Sequence, residues 1–241
     1  MIGKYIKLIT FYKKEILVKK IIVYFIFVYA LNIICLPLSA KENLLTIEQK
    51  KEINAIGDMV VYLITQKNTA EACFVASEMI NKYPKDPNAY FSFAFANFHA
   101  GNPEKAIEYY KKCIKIDKKY LEAYFNIGLV KYSQKNYNEA IKYYTKAIKM
   151  TTKSNKYKKE NALAYSNRAL AKYFNNNLKD ALKDYNKSLS IMPNYKGVDH
   201  VYYNRGLCRY DLGDKSGADE DFNTAIKLNP NFKYIYYNKR G

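Results

Sequence analysis

Residue types that carry enzyme chemistry are few in this chain of 241 residues, and their spacing does not suit catalysis. His99 and His200 are the only histidines, and neither has a cysteine or carboxylate at the spacing of a metal site or catalytic triad. The sequence has no glycine-rich phosphate loop. Four aspartates are interpreted as charges on helix surfaces: Asp180, Asp184, Asp219 and Asp221. The sequence therefore predicts a protein that is not an enzyme and that uses no cofactor or metal.

The four cysteines do not form a disulfide framework. Cys35 lies in an apolar run, which leaves Cys73, Cys113 and Cys208 with no paired spacing. Each of these three lies in a predicted helix at a position where a small apolar residue would serve. We therefore expect free, buried thiols.

Positive charge is spread along the whole chain rather than concentrated in one arm. The net charge is +18, of which residues 1–40 carry +5 and residues 41–241 carry +13. Lys142, Lys146 and Lys149 stand at helical spacing and are interpreted as a solvated outer face. Binding of a polyanion, either anionic lipid or nucleic acid, remains an alternative, and nucleic acid is not favoured.

The positions that could hold a ligand must be placed by a repeated element. Ala72, Ala106 and Ala140 are separated by intervals of 34 residues. The residues around Ala181 and Ala218 resemble those around these three alanines. A period of this length indicates units that bury their apolar faces only by stacking on one another. The sequence therefore predicts an all-α fold, an α-solenoid of helix-turn-helix units.

Each unit consists of two helical patterns joined by a turn. Small residues recur where the two helices must approach closely: Ala94, Gly128, Ala169 and Gly206 in the first helix, and the repeat alanines in the second. An aromatic residue follows each alanine by four positions: Tyr110, Tyr144, Tyr185 and Phe222. Pro84, Pro193 and Pro230 are expected to end second helices.

These positions resemble the tetratricopeptide repeat, whose order of bulky, small, alanine, aromatic and proline residues they match. Asn204-Arg205-Gly206 with Gly213-Asp214 resembles the variant common in bacterial arrays. The alignment gives five repeats, at 53–86 (divergent), 87–120, 121–154, 162–195 and 199–232. Residues 41–52 are a linker or the start of the first helix, residues 233–241 an incomplete capping helix, and residues 155–161 lengthen one connection.

The resemblance implies a binding groove, because the first helices of this family line a concave surface that holds extended or helical peptides. The implied groove residues are Phe91, Phe95, Phe98, Asn126, Tyr132, Asn167, Tyr173, Asn204 and Tyr210. The three asparagines occupy one position in successive repeats, and an amide can both donate to and accept from a peptide backbone. Alternatively, these amides bond within the array.

A variant of the family clamps a C-terminal carboxylate with Lys and Asn four residues apart on the first helix. Phe91 and Phe95, and Phe125 and Leu129, stand at those positions here. The resemblance therefore gives no support to a chaperone tail as the ligand.

The N-terminus has the order of a secretory signal peptide. Four lysines between residues 13 and 20 precede an apolar run over residues 21–36, and Pro37, Ser39 and Ala40 follow. The run is slightly longer than the usual ~7–15 residues of a signal and shorter than the ~20 of a spanning helix. Cleavage after Ala40 is slightly favoured over an uncleaved signal-anchor helix.

Both outcomes export the repeats, because basic residues stay on the cytoplasmic side of a first apolar segment. The expected location is the bacterial periplasm or the cell exterior, or the membrane through residues 21–36. The predicted function is a scaffold that binds a partner protein or peptide in the groove. A different alternative is that the array is the recognition arm of an enzyme encoded elsewhere.

Overall fold

A computed structural model describes residues 38–151 and 155–231. The chain divides within its first helix into two compact units, residues 1–55 and 56–241. Over the described residues the fold contains α-helices and one 3₁₀ turn and no strand, which confirms the predicted all-α class. The helices are α1 (Leu38–Thr65), α2 (Thr69–Lys82), α3 (Pro87–His99), α4 (Pro103–Ile116), α5 (Leu121–Ser133), α6 (Tyr137–Thr151), α7 (Lys158–Phe174), α8 (Leu178–Ile191), α9 (Val198–Asp211) and α10 (Lys215–Leu228).

The turn between the two helices of each repeat has the same backbone geometry in all five repeats. One residue, five positions before the repeat alanine, adopts a left-handed conformation with φ between 58° and 89°: Lys67, Gly101, Lys135, Asn176 and Gly213. The left-handed residue lets the chain reverse at the end of the first helix and satisfy its last carbonyl groups. Lys67, Lys135 and Asn176 adopt this conformation without being glycine, at a cost of about 1–2 kcal/mol each.

The next residue in each of these turns is an asparagine or aspartate that precedes the second helix. Asp214 accepts a hydrogen bond from the Gly217 amide at 3.0 Å, and Asn136 accepts one from the Glu139 amide at 3.3 Å. These contacts satisfy donors that would otherwise be unpaired at a helix N-terminus. Asn102 and Asn177 make no such contact, so the left-handed turn, and not the cap, is common to the repeats.

The predicted close approach of the two helices is confirmed where the small residue is glycine. A Cβ atom on Gly128 would lie 2.6 Å from Tyr144 Cε1, and one on Gly206 would lie 2.7 Å from Phe222 Cε1. Tyr144 is fully buried and Phe222 is 5% exposed. Each aromatic ring therefore fills the space that the missing side chain leaves.

Successive repeats share buried hydrophobic clusters, because the first helix of a repeat packs on the repeat before it. Phe93 and Ala96 of α3 lie in a cluster with Val60 of α1 and with Ala72 and Ala76 of α2. Clusters of the same kind join the later repeats. The predicted stacking of units is confirmed.

The prolines lie just after the second helices, and the longer connection lengthens the helix that follows it. Pro84, Pro193 and Pro230 each lie two residues beyond the end of a second helix, as predicted. The residues inserted at 155–161 form a 3₁₀ turn, Asn155–Tyr157, and the first turn of α7. As a result α7 has 17 residues, whereas α3 and α5 have 13.

Two predicted segments lie outside the described residues: the apolar run at 21–36 and the incomplete helix at 233–241. Residues 41–52 belong to α1. Within the described part of the chain, no helix combines the length and apolar character needed to cross a bilayer.

Candidate functional site

The predicted groove residues lie on α3, α5, α7 and α9, the first helices of four repeats. The middle of this surface is formed by Asn126 and Leu129 on α5 and by Asn167 and Leu170 on α7, all half-buried. We call these four residues the first-helix face. It combines two amides with two apolar side chains that the fold leaves partly open to solvent.

The phenylalanines of α3 contribute more to packing than the sequence predicted. Phe91 has its ring centroid 5.5 Å from that of buried Tyr110 and 5.2 Å from that of Tyr120. Phe95 stacks on Phe91 at 6.1 Å and meets His99 edge-on at 4.6 Å. Phe98 packs against the same core cluster. This end of the predicted groove is therefore partly core.

The side-chain amides of Asn126 and Asn167 already form hydrogen bonds within the repeat array. Asn126 Nδ2 donates to the Glu122 carbonyl at 2.8 Å, and Asn167 Nδ2 donates to the Leu163 carbonyl at 2.9 Å. Each of these bonds joins a residue to the one four positions earlier in its own helix, which orients the side chain. The alternative of bonding within the array is thus correct for one N–H of Asn126 and one of Asn167, and the Oδ1 atoms retain acceptor capacity. Asn204 stands at the same position on α9 and is half-buried.

Aromatic side chains gather where the third and fourth repeats meet, at the turn end of α5 and α7. Phe174 stacks on Tyr137 at 5.7 Å and lies 6.0 Å from Tyr132 and 5.3 Å from Tyr173 between ring centroids. We call Tyr132, Tyr137, Tyr173 and Phe174 the aromatic patch. Tyr132 and Tyr173 were predicted as site residues; Phe174 and Tyr137 were missed.

Phe174 is 51% exposed. Its position is occupied by His99, Ser133 and Asp211 in the other three well-matched repeats, so an exposed phenylalanine among polar equivalents was the available signal. An exposed ring beside other aromatic rings forms a contiguous apolar patch. Such a patch is a better indication of a binding surface than an isolated exposed leucine.

Tyr173 links the aromatic patch to the last repeat. The Tyr173 hydroxyl donates to Asp211 Oδ2 at 2.5 Å, which ties α7 to α9. Burial, and then the hydrogen bond to Asp211, raise the pKa of Tyr173 above its ordinary value. Tyr210 on α9 is 47% exposed. Burial also raises the pKa of Tyr132, so Tyr132 and Tyr173 stay protonated at neutral pH.

Buried ion pairs join the two helices of the fourth and fifth repeats. Arg168 binds Asp184 through two bonds of 2.7 Å, and Arg205 binds Asp221 through bonds of 2.8 and 2.6 Å. The side chains of Asp184 and Asp221 are only 7% and 3% exposed. Their interpretation as helix-surface charges was therefore wrong, because each carboxylate lies between its own helix pair. Asp180, by contrast, pairs with exposed Lys183.

Each of these carboxylates is bound by a second cation, and each arginine reaches the preceding repeat. Lys172 Nζ lies 2.7 Å from Asp184, and Arg209 lies 3.2 Å from Asp221. Arg168 also donates to Thr145 at 3.0 Å, and Arg205 donates to Asn186 at 2.9 Å. Thr145 and Asn186 stand five residues after their repeat alanines, so the two networks are equivalent.

Exposed lysines of the second helices form part of the positive surface of the protein. Lys142, Lys146 and Lys149 are exposed, which confirms the predicted outer face. Lys142 pairs with Glu139 at 2.6 Å, and Lys146 lies 5.2 Å from the Tyr143 ring centroid. Cys113 and Cys208 are fully buried and Cys73 is half-buried, all as free thiols.

Two hollows lie away from the first-helix face. One of about 540 Å³ is lined mainly by Ile56, Phe74, Val75 and Met79, and one of about 370 Å³ is lined by α4 side chains. Across residues 38–151 and 155–231, no three His, Cys, Asp or Glu side chains converge as a metal site. His99, one of the two histidines, has its pKa lowered by burial.

Comparison with known families matches the repeats directly. A tetratricopeptide repeat model matches residues 87–153 and 119–194, and a second model of the same description matches residues 201–232. These matches span more than half of the chain and cover four of the five predicted repeats. No curated protein matches the sequence.

Solved structures share the fold at low sequence identity. MamA from Desulfovibrio magneticus RS-1 aligns with a TM-score of 0.61 at 17% identity over 74% of this chain and 96% of its own. PilF of Pseudomonas aeruginosa aligns with a TM-score of 0.64 at 17% identity over 80% and 88%. A tetratricopeptide repeat protein of Thermus thermophilus aligns with a TM-score of 0.61 at 14% identity over 77% and 97%. At these identities the likeness concerns the fold alone. Together with the family matches, it places this chain in the tetratricopeptide repeat family.

Proposed function

We propose that this protein is an exported or membrane-tethered scaffold that binds a segment of a partner protein on its first-helix face. The proposal rests on one observation: the first-helix face is partly exposed to solvent and has acceptor oxygens with remaining hydrogen-bonding capacity. Asn126 and Asn167 are oriented by bonds to their own helices and retain acceptor oxygens, beside half-buried Leu129 and Leu170. A bound backbone would donate to these oxygens while apolar side chains cover the leucines.

Export is proposed from the N-terminal sequence. The lysines at 13–20, the apolar run at 21–36 and the small residues ending at Ala40 support a signal that is cleaved or kept as an anchor. N-terminal sequencing of the exported protein separates the two forms. A first residue of Lys41 supports cleavage, whereas a start at Met1 in the membrane fraction supports the anchor.

Partner capture with site variants tests the binding face. The full chain serves as bait, captured proteins are identified by mass spectrometry, and affinity is then measured for Asn167→Ala, Tyr132→Ala and Lys146→Glu. Asn167→Ala should weaken binding by about 1–3 kcal/mol, because a donor desolvated in the complex loses its acceptor. Lys146→Glu should leave affinity unchanged. If only Lys146→Glu lost binding, the binding site would have to lie on the second helices instead.

A second candidate function is polyanion binding through the second helices. Exposed lysines cluster on and just after α4, namely Lys111, Lys115, Lys118 and Lys119. Binding of this kind weakens strongly as salt rises, because it depends on the release of counterions. Contacts to the first-helix face are mainly apolar and hydrogen-bonded, so they should persist.

A further inference from the structure

The first repeat exposes apolar side chains at positions that the later repeats bury. Tyr62 on α1 is 59% exposed, and Met59, one turn earlier, is 50% exposed. In the four later repeats the residues at the position of Tyr62 are fully buried: Ala96, Val130, Ala171 and Cys208. These four residues share core clusters with the repeat before their own. The first repeat therefore exposes the side that each later repeat packs against a neighbouring repeat.

Phe74 on α2 adds a further exposed ring, at 65% exposure. The later repeats hold exposed charged residues at this position: Glu108, Lys142, Lys183 and Glu220. Beside Phe74 lies the hollow of about 540 Å³, whose apolar lining includes Ile56, Val75 and Met79. The first repeat thus presents a projecting ring next to an apolar recess.

The exposed residues of α1 and α2 belong to one surface. In the second repeat the residues equivalent to Met59 and Val75 are Phe93 and Tyr109, whose ring centroids lie 4.5 Å apart. A terminal repeat usually has a polar outer face, so an apolar one indicates an interaction surface. We call this apolar surface the end surface, formed by Ile56, Met59, Tyr62, Phe74 and Val75.

The exposed side of α2 is complementary to itself when two copies of the helix run antiparallel. Glu71, Phe74 and Lys82 lie on one side of α2, because the helix has 3.6 residues per turn. Phe74 is three residues after Glu71, and Met79 is three residues before Lys82. An antiparallel pair that places Phe74 opposite Met79 therefore also places Glu71 opposite Lys82. A twofold interface requires this property, since the same surface must supply both the ring and its recess.

From this arrangement we infer that two copies of the chain associate through the end surface, with their α2 helices antiparallel. Phe74 of each copy enters the hollow of the other, and Glu71 of each copy faces Lys82 of the other. The two charge pairs set the orientation, and the apolar residues supply the affinity. The inference goes beyond partner binding on the first-helix face, which uses α5 and α7.

Sedimentation of the full chain in mild detergent, over a range of concentrations, tests the inference. Phe74→Glu copies Glu108 and Glu220 at the equivalent positions. Glu71→Lys and Lys82→Glu are measured singly and as an equal mixture. Phe174→Ser is the matched control, since Phe174 is a 51% exposed phenylalanine of the aromatic patch. Helix content is compared across all variants.

The wild-type chain should form a dimer that dissociates on dilution, with a Kd of roughly 1–100 μM, as expected for a small interface. Phe74→Glu should weaken association about tenfold or more, and Phe174→Ser should leave it unchanged. Glu71→Lys and Lys82→Glu should each weaken it about fivefold, because like charges then meet at both ends of the interface. Their equal mixture should associate as the wild type does, since opposite charges then meet again.

Four results would overturn the inference. The first is the mass of a single chain at every concentration up to about 100 μM. The second is association that Phe74→Glu does not weaken. The third is association lost in Phe174→Ser, which would assign the contact to the aromatic patch. The fourth is a mixture of Glu71→Lys and Lys82→Glu that associates no better than either variant alone, which would exclude the antiparallel pairing.

Discussion

Removing one partner of the buried ion pair between Arg168 and Asp184 should destabilise this protein far more than removing one partner of an exposed ion pair. Arg168→Ile removes two bonds of 2.7 Å and leaves a carboxylate that is 7% exposed with Lys172 as its remaining cation. Removing one partner of a buried pair costs about 3–5 kcal/mol. Because Lys172 still lies 2.7 Å from Asp184, we expect a value near the lower end, about 3 kcal/mol.

The protein itself supplies the compensating substitution. In the third repeat the equivalent positions hold Ile127, Lys131 and Tyr143, so Arg168→Ile with Asp184→Tyr copies a set that already folds there. The double variant retains Lys172 at the position of Lys131. Its free energy of unfolding should return to within about 1 kcal/mol of wild type, as when buried ion pairs are replaced by packed apolar residues.

Denaturant unfolding followed by circular dichroism measures both variants, and hydrogen exchange locates the change. Loss of protection should be confined to α7, α8 and their neighbours, since each repeat contacts only adjacent repeats. Lys142→Ala is the control, because Lys142 and Glu139 form an exposed pair, and exposed pairs contribute little to stability. If Arg168→Ile costs no more than Lys142→Ala, the buried pair does not hold the helices together.

Three further outcomes follow from the packing. Gly128→Ala should destabilise the protein by about 1–3 kcal/mol, because the added Cβ would collide with Tyr144. Gly57→Ala should stabilise it by about 0.5–1 kcal/mol, because the nearest atom to the added Cβ is 3.8 Å away. Denaturant unfolding measures both variants. Burial raises the pKa of Tyr144 above its ordinary value of about 10, so stability is full below that pH and is lost as the pH rises beyond it. The ring signals of Tyr144 in nuclear magnetic resonance should then change together with the circular dichroism, and ionisation of Tyr144 before unfolding would contradict the burial. Half-buried Cys73 should be alkylated much faster than Cys113, whose burial raises its pKa to about 12; peptide mass spectrometry reads both sites, and equal rates would oppose the assignment.

The helical pairs could be predicted because their determinants are local and repeated. Three local features indicate where the helices cross and end. They are the spacing of the repeat alanines, the small residue opposite each aromatic ring and the prolines after the second helices. Gly128 with Tyr144 is an example, since the sequence positions alone indicate a close helix crossing and the structure has it. The left-handed turn at Lys67 and Lys135 was harder to predict, because lysine rarely adopts that conformation.

The buried charges could not be identified from one sequence, because the same positions hold different chemistry in different repeats. Arg168 and Asp184 take the places of Phe93 and Tyr109 in the second repeat, where the ring centroids lie 4.5 Å apart. A charge on a helix is usually solvated, so aspartate at this position suggested a surface. The repetition of the pair at Arg205 and Asp221 was the signal that it faces its own repeat.

The placement of the candidate groove residues on the first helices could be predicted, because the repeat register determines which residues share a helix face. Asn126, Asn167, Tyr132 and Tyr173 lie on the predicted helices. The surroundings of Phe174, by contrast, depend on three tyrosine rings that come from two repeats. Contacts of that kind depend on how repeats stack, which spacing within one repeat does not specify.

Site-specific photo-crosslinking tests the central claim, that a partner binds the first-helix face. A photoreactive amino acid replaces Leu170 on that face in one form of the full chain and exposed Lys146 in another. Both forms are irradiated with a captured partner at matched concentration, and products are identified by mass spectrometry. The account predicts a crosslinked partner peptide from position 170 and none from position 146. Crosslinks from position 146 alone would contradict it and assign recognition to the second helices.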